Sequence, residues 1–120
     1  MVVDDDLALL SFTCKYLTRM GYTAVPYRSS EGAWNDFETS GVRYSLVLID
    51  LTMAVISGEQ LARMMLNLDP EVRLILTSGY PFDTSSLLGV PQDRIAFLHK
   101  PFTPAMLAET MDRLLRPRPC

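Results

Sequence analysis

Ser45-Leu46-Val47-Leu48-Ile49-Asp50 is an apolar run that ends on a carboxylate. It shows no apolar–polar alternation, as expected of a strand covered on both faces. A carboxylate at the carboxyl end of a buried strand is poorly placed for packing and well placed for chemistry. Three further apolar segments end in the same manner. Met1-Val2-Val3 runs into Asp4-Asp5-Asp6, Val72-Arg73-Leu74-Ile75-Leu76-Thr77 into Ser78-Gly79, and Ile95-Ala96-Phe97-Leu98 into His99-Lys100-Pro101. If these strands lie parallel and side by side, they deliver acid, acid, hydroxyl and amine to one edge.

Between the strands the period changes to that of helices. Apolar residues recur at helical spacing over residues 7–20, closed by Gly21, and around Ala33, Trp34 and Phe37, closed by Gly41. Leu61, Met64, Met65 and Leu68 form a third stripe, with Ser57 as its N-cap and Pro70 beyond its end. The last helix is predicted over 103–115, with Thr103 as N-cap and Pro104 at the first position, where a missing N–H is harmless. β-rich runs fall at 22–25, 45–49, 72–77 and 95–98. Five strands and five helices in alternation predict an α/β fold, a parallel sheet between layers of helices. The helix between Pro81 and Pro91 is expected to be short or displaced, because Gly89 interrupts it and Ser85-Ser86 propagates helix poorly. In doubly wound sheets ligands bind outside the carboxyl ends of the strands. That rule gathers Asp4, Asp5, Asp50, Ser78 and Lys100 around one crevice.

Composition narrows the function. A chain of 120 residues reads as one domain, 1–120, able to bury a core without disulfides. A net charge of −3 argues against nucleic acid as a direct partner. Arg113, Arg116 and Arg118 read as cations near a helix C-terminus. Cys14 lies on the apolar stripe Leu7, Leu10, Cys14, Leu17 and reads as a small core residue, and Cys120 as a free thiol, which fits a reducing, cytoplasmic setting. No apolar stretch approaches a membrane span and no signal peptide is evident. Because only Met1-Val2-Val3 precede the acidic cluster, the sequence reads as a segment cut from a longer protein.

The charges at the predicted edge do not balance. Asp4, Asp5 and Asp50 give three negatives against one positive from Lys100. Two carboxylates about 4 Å apart repel by about 4 kcal/mol at an effective dielectric of 20. Such a cluster either shifts its pKa values or binds a cation, and hard oxygen ligands suit Mg²⁺, which recruits phosphate oxygens. A carboxylate nucleophile in that setting would form an aspartyl-phosphate, with Lys100 neutralising phosphoryl oxygens and Ser78 donating a hydrogen bond.

Four motifs together resemble the receiver domain of two-component response regulators. They are Val2-Val3-Asp4-Asp5-Asp6; Leu48-Ile49-Asp50-Leu51-Thr52-Met53 followed by Gly58; Leu76-Thr77-Ser78-Gly79-Tyr80; and Phe97-Leu98-His99-Lys100-Pro101-Phe102. The resemblance implies a flavodoxin-like (CheY-like) doubly wound sheet of order 2-1-3-4-5 in a three-layer αβα sandwich. It implies Asp50 as acceptor of a phosphoryl group from a histidine kinase or histidine phosphotransfer domain. Mg²⁺ or Mn²⁺ would be held by Asp5, Asp50 and the backbone carbonyl of Thr52, with Asp4 acting through water. Lys100 would pair with the phosphoryl group, and the Lys100-Pro101 peptide would be cis. Ser78 would be the switch hydroxyl and Phe97 the aromatic that changes rotamer, while Thr52 and Tyr80 would tune phosphate lifetime. The wording of the motifs is closest to the receivers of hybrid sensor histidine kinases, which would make the domain the cytosolic part of a membrane-bound sensor.

The chain departs from the family at Ala54, where proline is usual, at Ser45, where an acid is frequent, and at Phe97, where tyrosine is commoner. Plainer readings compete. Asp6 reads as the cap of the first helix, His99 as a residue facing away from the crevice, Phe97 as core, and Thr77 competes with Ser78 for the switch position. A phosphatase of the haloacid dehalogenase type would need an acid where Thr52 stands. A degenerate receiver that only binds partners would not need Asp5, Asp50 and Lys100 together. Apolar faces over 104–115 would either pack the core or pair two phosphorylated copies.

Overall fold

The apolar runs are covered on both faces, and their side chains alternate between two cores. In the computed structural model, which describes residues 1–80 and 92–115, the strands are β1 (Val2–Val3), β2 (Pro26–Tyr27), β3 (Leu46–Asp50), β4 (Arg73–Ser78) and β5 (Ile95–His99). They form one five-stranded sheet in the order β2-β1-β3-β4-β5, and every pairing is parallel. The described helices are α1 (Leu7–Arg19), α2 (Ser30–Thr39), α3 (Gly58–Leu68) and α4 (Pro104–Leu115), and a 3-10 turn over Gln92–Arg94 leads into β5.

Val3, Val47, Ile49, Leu74 and Leu76 share one buried cluster with Ala33 and Phe37 of α2 and Leu61, Ala62 and Met65 of α3. Val2, Leu48, Ile75 and Leu98 share the other with Leu10 and Leu17 of α1 and Leu107 and Met111 of α4. This is the predicted αβα sandwich, and it explains why β3 and β4 read as apolar throughout. Cys14 packs, partly buried, against the second cluster, as its stripe position foretold. No described helix is long and apolar enough to cross a membrane.

Three helix starts are capped by side chains that the sequence singles out, Asp6, Ser57 and Thr103. Asp6 caps α1 by accepting from Leu9 N–H at 3.2 Å. Ser57 and Gln60 close a reciprocal capping box on α3, and Thr103 Oγ1 accepts from Met106 N–H at 3.1 Å at the start of α4. Gly21, at φ 93°, turns the chain after α1.

One strand is displaced from its expected position. The β-rich run at 22–25 is not the second strand; Pro26–Tyr27 is. Two-residue β1 has ladder positions only for Val2 and Val3, which register with Pro26 and Tyr27, and Val2 N–H donates to Val25 O at 2.9 Å. Proline is tolerated there because β2 is an edge strand. The helix expected between Pro81 and Pro91, and the roles given to Arg116, Arg118 and Cys120, lie outside the described residues.

Candidate functional site

Strand periodicity aims the site. Val2, Leu48 and Leu98 point into the same cluster, between the sheet and helices α1 and α4. Asp4, Asp50 and Lys100 each follow one of them by two positions, so the alternation carries all three toward that side at the carboxyl edge. Lys100 Nζ lies 2.9 Å from Asp4 Oδ2 and 3.4 Å from Asp50 Oδ2. Lys100 N–H also donates to Ser78 O at 2.8 Å, which ties the residue to the end of β4. The Lys100-Pro101 peptide is cis, as the resemblance implied.

Both acids held by the lysine are buried, Asp4 at 5% and Asp50 at 3% exposure. Asp4 Oδ1 accepts from Asp6 N–H at 2.9 Å, so each oxygen of that carboxylate has a partner. One ammonium cannot compensate two buried carboxylates. Burial is the main force that raises the Asp4 carboxyl above its ordinary value; the hydrogen bonds from Asp6 and Lys100 oppose it, and the nearby Asp50 charge adds to it. Lys100 feels burial in the opposite direction. Its bond to Asp4 and the charges of Asp4 and Asp50 outweigh that and raise it above its ordinary value.

Asp4, Asp5 and Asp50 each offer a carboxylate oxygen, and these atoms lie within 4.8 Å of one another. Asp5 is exposed while Asp4 and Asp50 are buried. An all-oxygen donor set with one side open to water fits a hard divalent cation that keeps part of its hydration. The acid cluster can therefore hold a metal ion.

The loop after β3 fixes the Asp50 carboxylate. Thr52 N–H and Thr52 Oγ1 both donate to Asp50 Oδ1, at 3.1 and 3.0 Å. The loop closes where Gly58 N–H donates to Leu51 O at 3.2 Å. A Cβ at Gly58 would come within 2.5 Å of both Asp50 O and Leu51 Cα, so only glycine lets α3 start this close to the strand end.

The remaining predicted residues are placed as follows. Thr77, not Ser78, registers with Asp50 across the β3–β4 ladder. Ser78 is buried at the last position of β4, and its Oγ accepts from Tyr80 N–H at 3.1 Å. No hydrogen bond joins Ser78 to Asp50 among the described residues. Phe97 packs, partly buried, against the cluster under α2 and α3. Tyr80 is 71% exposed, and His99 is exposed at the end of β5.

Two features escaped the sequence. One is the direct pairing of Lys100 with Asp4; the only signal was charge imbalance, which does not say which acid the amine prefers. The other is the Thr52 side-chain bond to Asp50. A hydroxyl two residues after a strand-end aspartate is a turn-forming pattern, so that signal was available.

Residues 1–112 match the model of the response regulator receiver domain family. The chain is 29% identical over 116 residues to sensor kinase CckA of Brucella abortus, an alignment covering 96% of this chain and 12% of that protein. It is 25% identical over 80 residues to response regulator receiver protein CpdR of the same organism, covering 67% of this chain and 65% of that one. The chain thus spans about one eighth of CckA and just under two thirds of CpdR. Among solved structures, a response regulator receiver protein from Sinorhizobium medicae superposes with a TM-score of 0.84 at 29% identity, covering 95% of this chain and 90% of that one. A match running from the first residue through most of α4 assigns the chain: it belongs to the response regulator receiver domains of two-component systems.

Proposed function

We propose that Asp50 is the phospho-acceptor, taking a phosphoryl group from the phosphohistidine of a histidine kinase or histidine phosphotransfer domain. The observation that carries this reading is the contact of Lys100 Nζ with both Asp4 and Asp50, at 2.9 and 3.4 Å, beside three carboxylates that can share one cation. A carboxylate oxygen of Asp50 attacks phosphorus in line as the P–N bond breaks. The bonding pair returns to the imidazole nitrogen, which then takes up a proton. Lys100 leaves Asp4 to meet the phosphoryl oxygens, and Ser78 exchanges its contact with Tyr80 N–H for the same group. Asp5, Asp50 and the Thr52 carbonyl would hold Mg²⁺, or Mn²⁺ in its place, with Asp4 acting through water. When bound, it supplies the positive charge that the acid cluster and the incoming phosphoryl group lack.

Ser78 and Phe97 are the switch residues, and Thr52 and Tyr80 govern access of water to the phosphoryl group. Residues 1–120 form one receiver domain, without turnover of an external substrate beyond its own phosphorylation and dephosphorylation. Likeness to a sensor kinase, of which the chain spans 12%, favours origin in a hybrid kinase, with the domain in the cytoplasm. No direct contact with nucleic acid or membrane is proposed, and pairing of two copies would follow phosphorylation.

With Mg²⁺ and acetyl phosphate the protein should gain one acid-labile phosphoryl group by intact-mass spectrometry, and Asp50→Asn should gain none. Equal labelling of both proteins would remove Asp50 from this role.

A further inference from the structure

We infer that the Thr52 hydroxyl is a positioning group for the acceptor carboxylate: it fixes the rotation of Asp50 before cation or phosphodonor arrives. The inference rests on the assignment of Asp50 as acceptor and goes beyond the carbonyl and water-access roles given to Thr52 above. The terminal torsion of an aspartate is broad, so burial alone does not choose the plane in which its two equivalent oxygens lie. Here the choice is made by hydrogen bonds. Thr52 N–H and Oγ1 converge on Oδ1 at 3.1 and 3.0 Å, and Oδ2 is thereby turned toward Lys100 Nζ, 3.4 Å away.

Thr52 is itself exposed, so packing does not hold its side chain. A β-branched residue has few χ1 rotamers, and the bond to Asp50 selects one of them. Ala54 follows Met53 without the rigidity of proline, and the loop conformation depends correspondingly more on this contact. A threonine needed only as a water shield would act through its bulk, whereas the geometry here uses its oxygen.

Valine has the same shape and no donor, which separates the two roles. Thr52→Val keeps the backbone N–H bond and loses only the hydroxyl. Thr52→Ser keeps the hydroxyl and loses the methyl. In the unphosphorylated protein, Mg²⁺ affinity measured by amide chemical-shift titration should fall about threefold in the valine variant and return in the serine variant. The maximal rate of loading by acetyl phosphate should fall about fivefold in the valine variant, with half-saturation unchanged, and recover with serine. Wild-type affinity and wild-type loading in Thr52→Val would overturn the inference, as would a serine variant that behaves like valine. If the wild-type protein takes no phosphate at Asp50, the acceptor assignment fails, and the Mg²⁺ titration still decides the role of the hydroxyl by itself.

Discussion

Two residues between β3 and the first turn of α3 show opposite relations between backbone and side chain. Gly58 is required because a Cβ has no room, whereas Val55 occupies a conformation that its side chain resists. Val55 has φ 67° and is 80% exposed, so no packing compensates the left-handed backbone. That conformation costs an L-residue about 1–2 kcal/mol, and a β-branched residue suits it least. Asparagine tolerates it. Val55→Asn is therefore expected to stabilise the protein by about 1 kcal/mol, seen as a higher urea midpoint with an unchanged slope. A midpoint equal to or below the wild type would mean the loop stores no such strain.

At the scale of elements, α2 is fastened by a pair of phenols. Tyr27 of β2 and Tyr44, just before β3, both donate to Asp36 Oδ2 of α2 at 2.6 Å. Tyr44 also stacks on Phe37 with ring centres 6.4 Å apart. The hydrogen bond from Tyr27 and then that from Tyr44 hold the Asp36 carboxyl below its ordinary value, and burial followed by the Asp36 bond raises the Tyr44 phenol. Because the folded value of Asp36 is depressed, its stabilisation is present above the unfolded value of 3.8 and is lost as pH falls through the folded one. Tyr44→Phe should cost about 0.5 kcal/mol at neutral pH after solvent screening. That difference should shrink once Asp36 is protonated. Denaturant unfolding at pH 7 and at acid pH, where Asp36 is protonated, checks this; an equal loss at both would mean the phenol contributes by packing alone.

For the whole molecule, the governing fact is a sheet edge that concentrates like charge. Carboxylate oxygens of three aspartates converge within 4.8 Å and one lysine answers them, so the fold carries repulsion that a bound divalent cation would relieve. A ligand that binds only the folded state stabilises it by mass action, about 2.7 kcal/mol at a hundredfold excess over Kd. Mg²⁺ should accordingly raise the melting temperature of the wild type by several degrees. Asp5→Asn should lose most of that gain while retaining the fold, because Asp5 is the exposed member of the cluster. Identical shifts in the two proteins would mean that the cation acts elsewhere.

The sequence by itself determined four of the five strands, the caps of α1, α3 and α4, and the edge at which Asp4, Asp5, Asp50 and Lys100 gather. Those depend on local periodicity and on which strand ends carry polar groups. Runs such as 46–49 and 74–76 can be satisfied only by cover on both faces, and that requirement forces helices onto each side of the sheet. Tertiary structure decided what depends on partners distant in the chain. It moved the second strand to Pro26–Tyr27, the residues that register with Val2 and Val3 of β1. It gave Lys100 to Asp4 at 2.9 Å, across 96 positions, and gathered Tyr27 and Tyr44 on one oxygen of Asp36. It also set Thr77 rather than Ser78 opposite Asp50. Hydrophobic patterning reveals which face of an element is buried, but the partner of a polar atom is chosen by distances that exist only after the layers have packed.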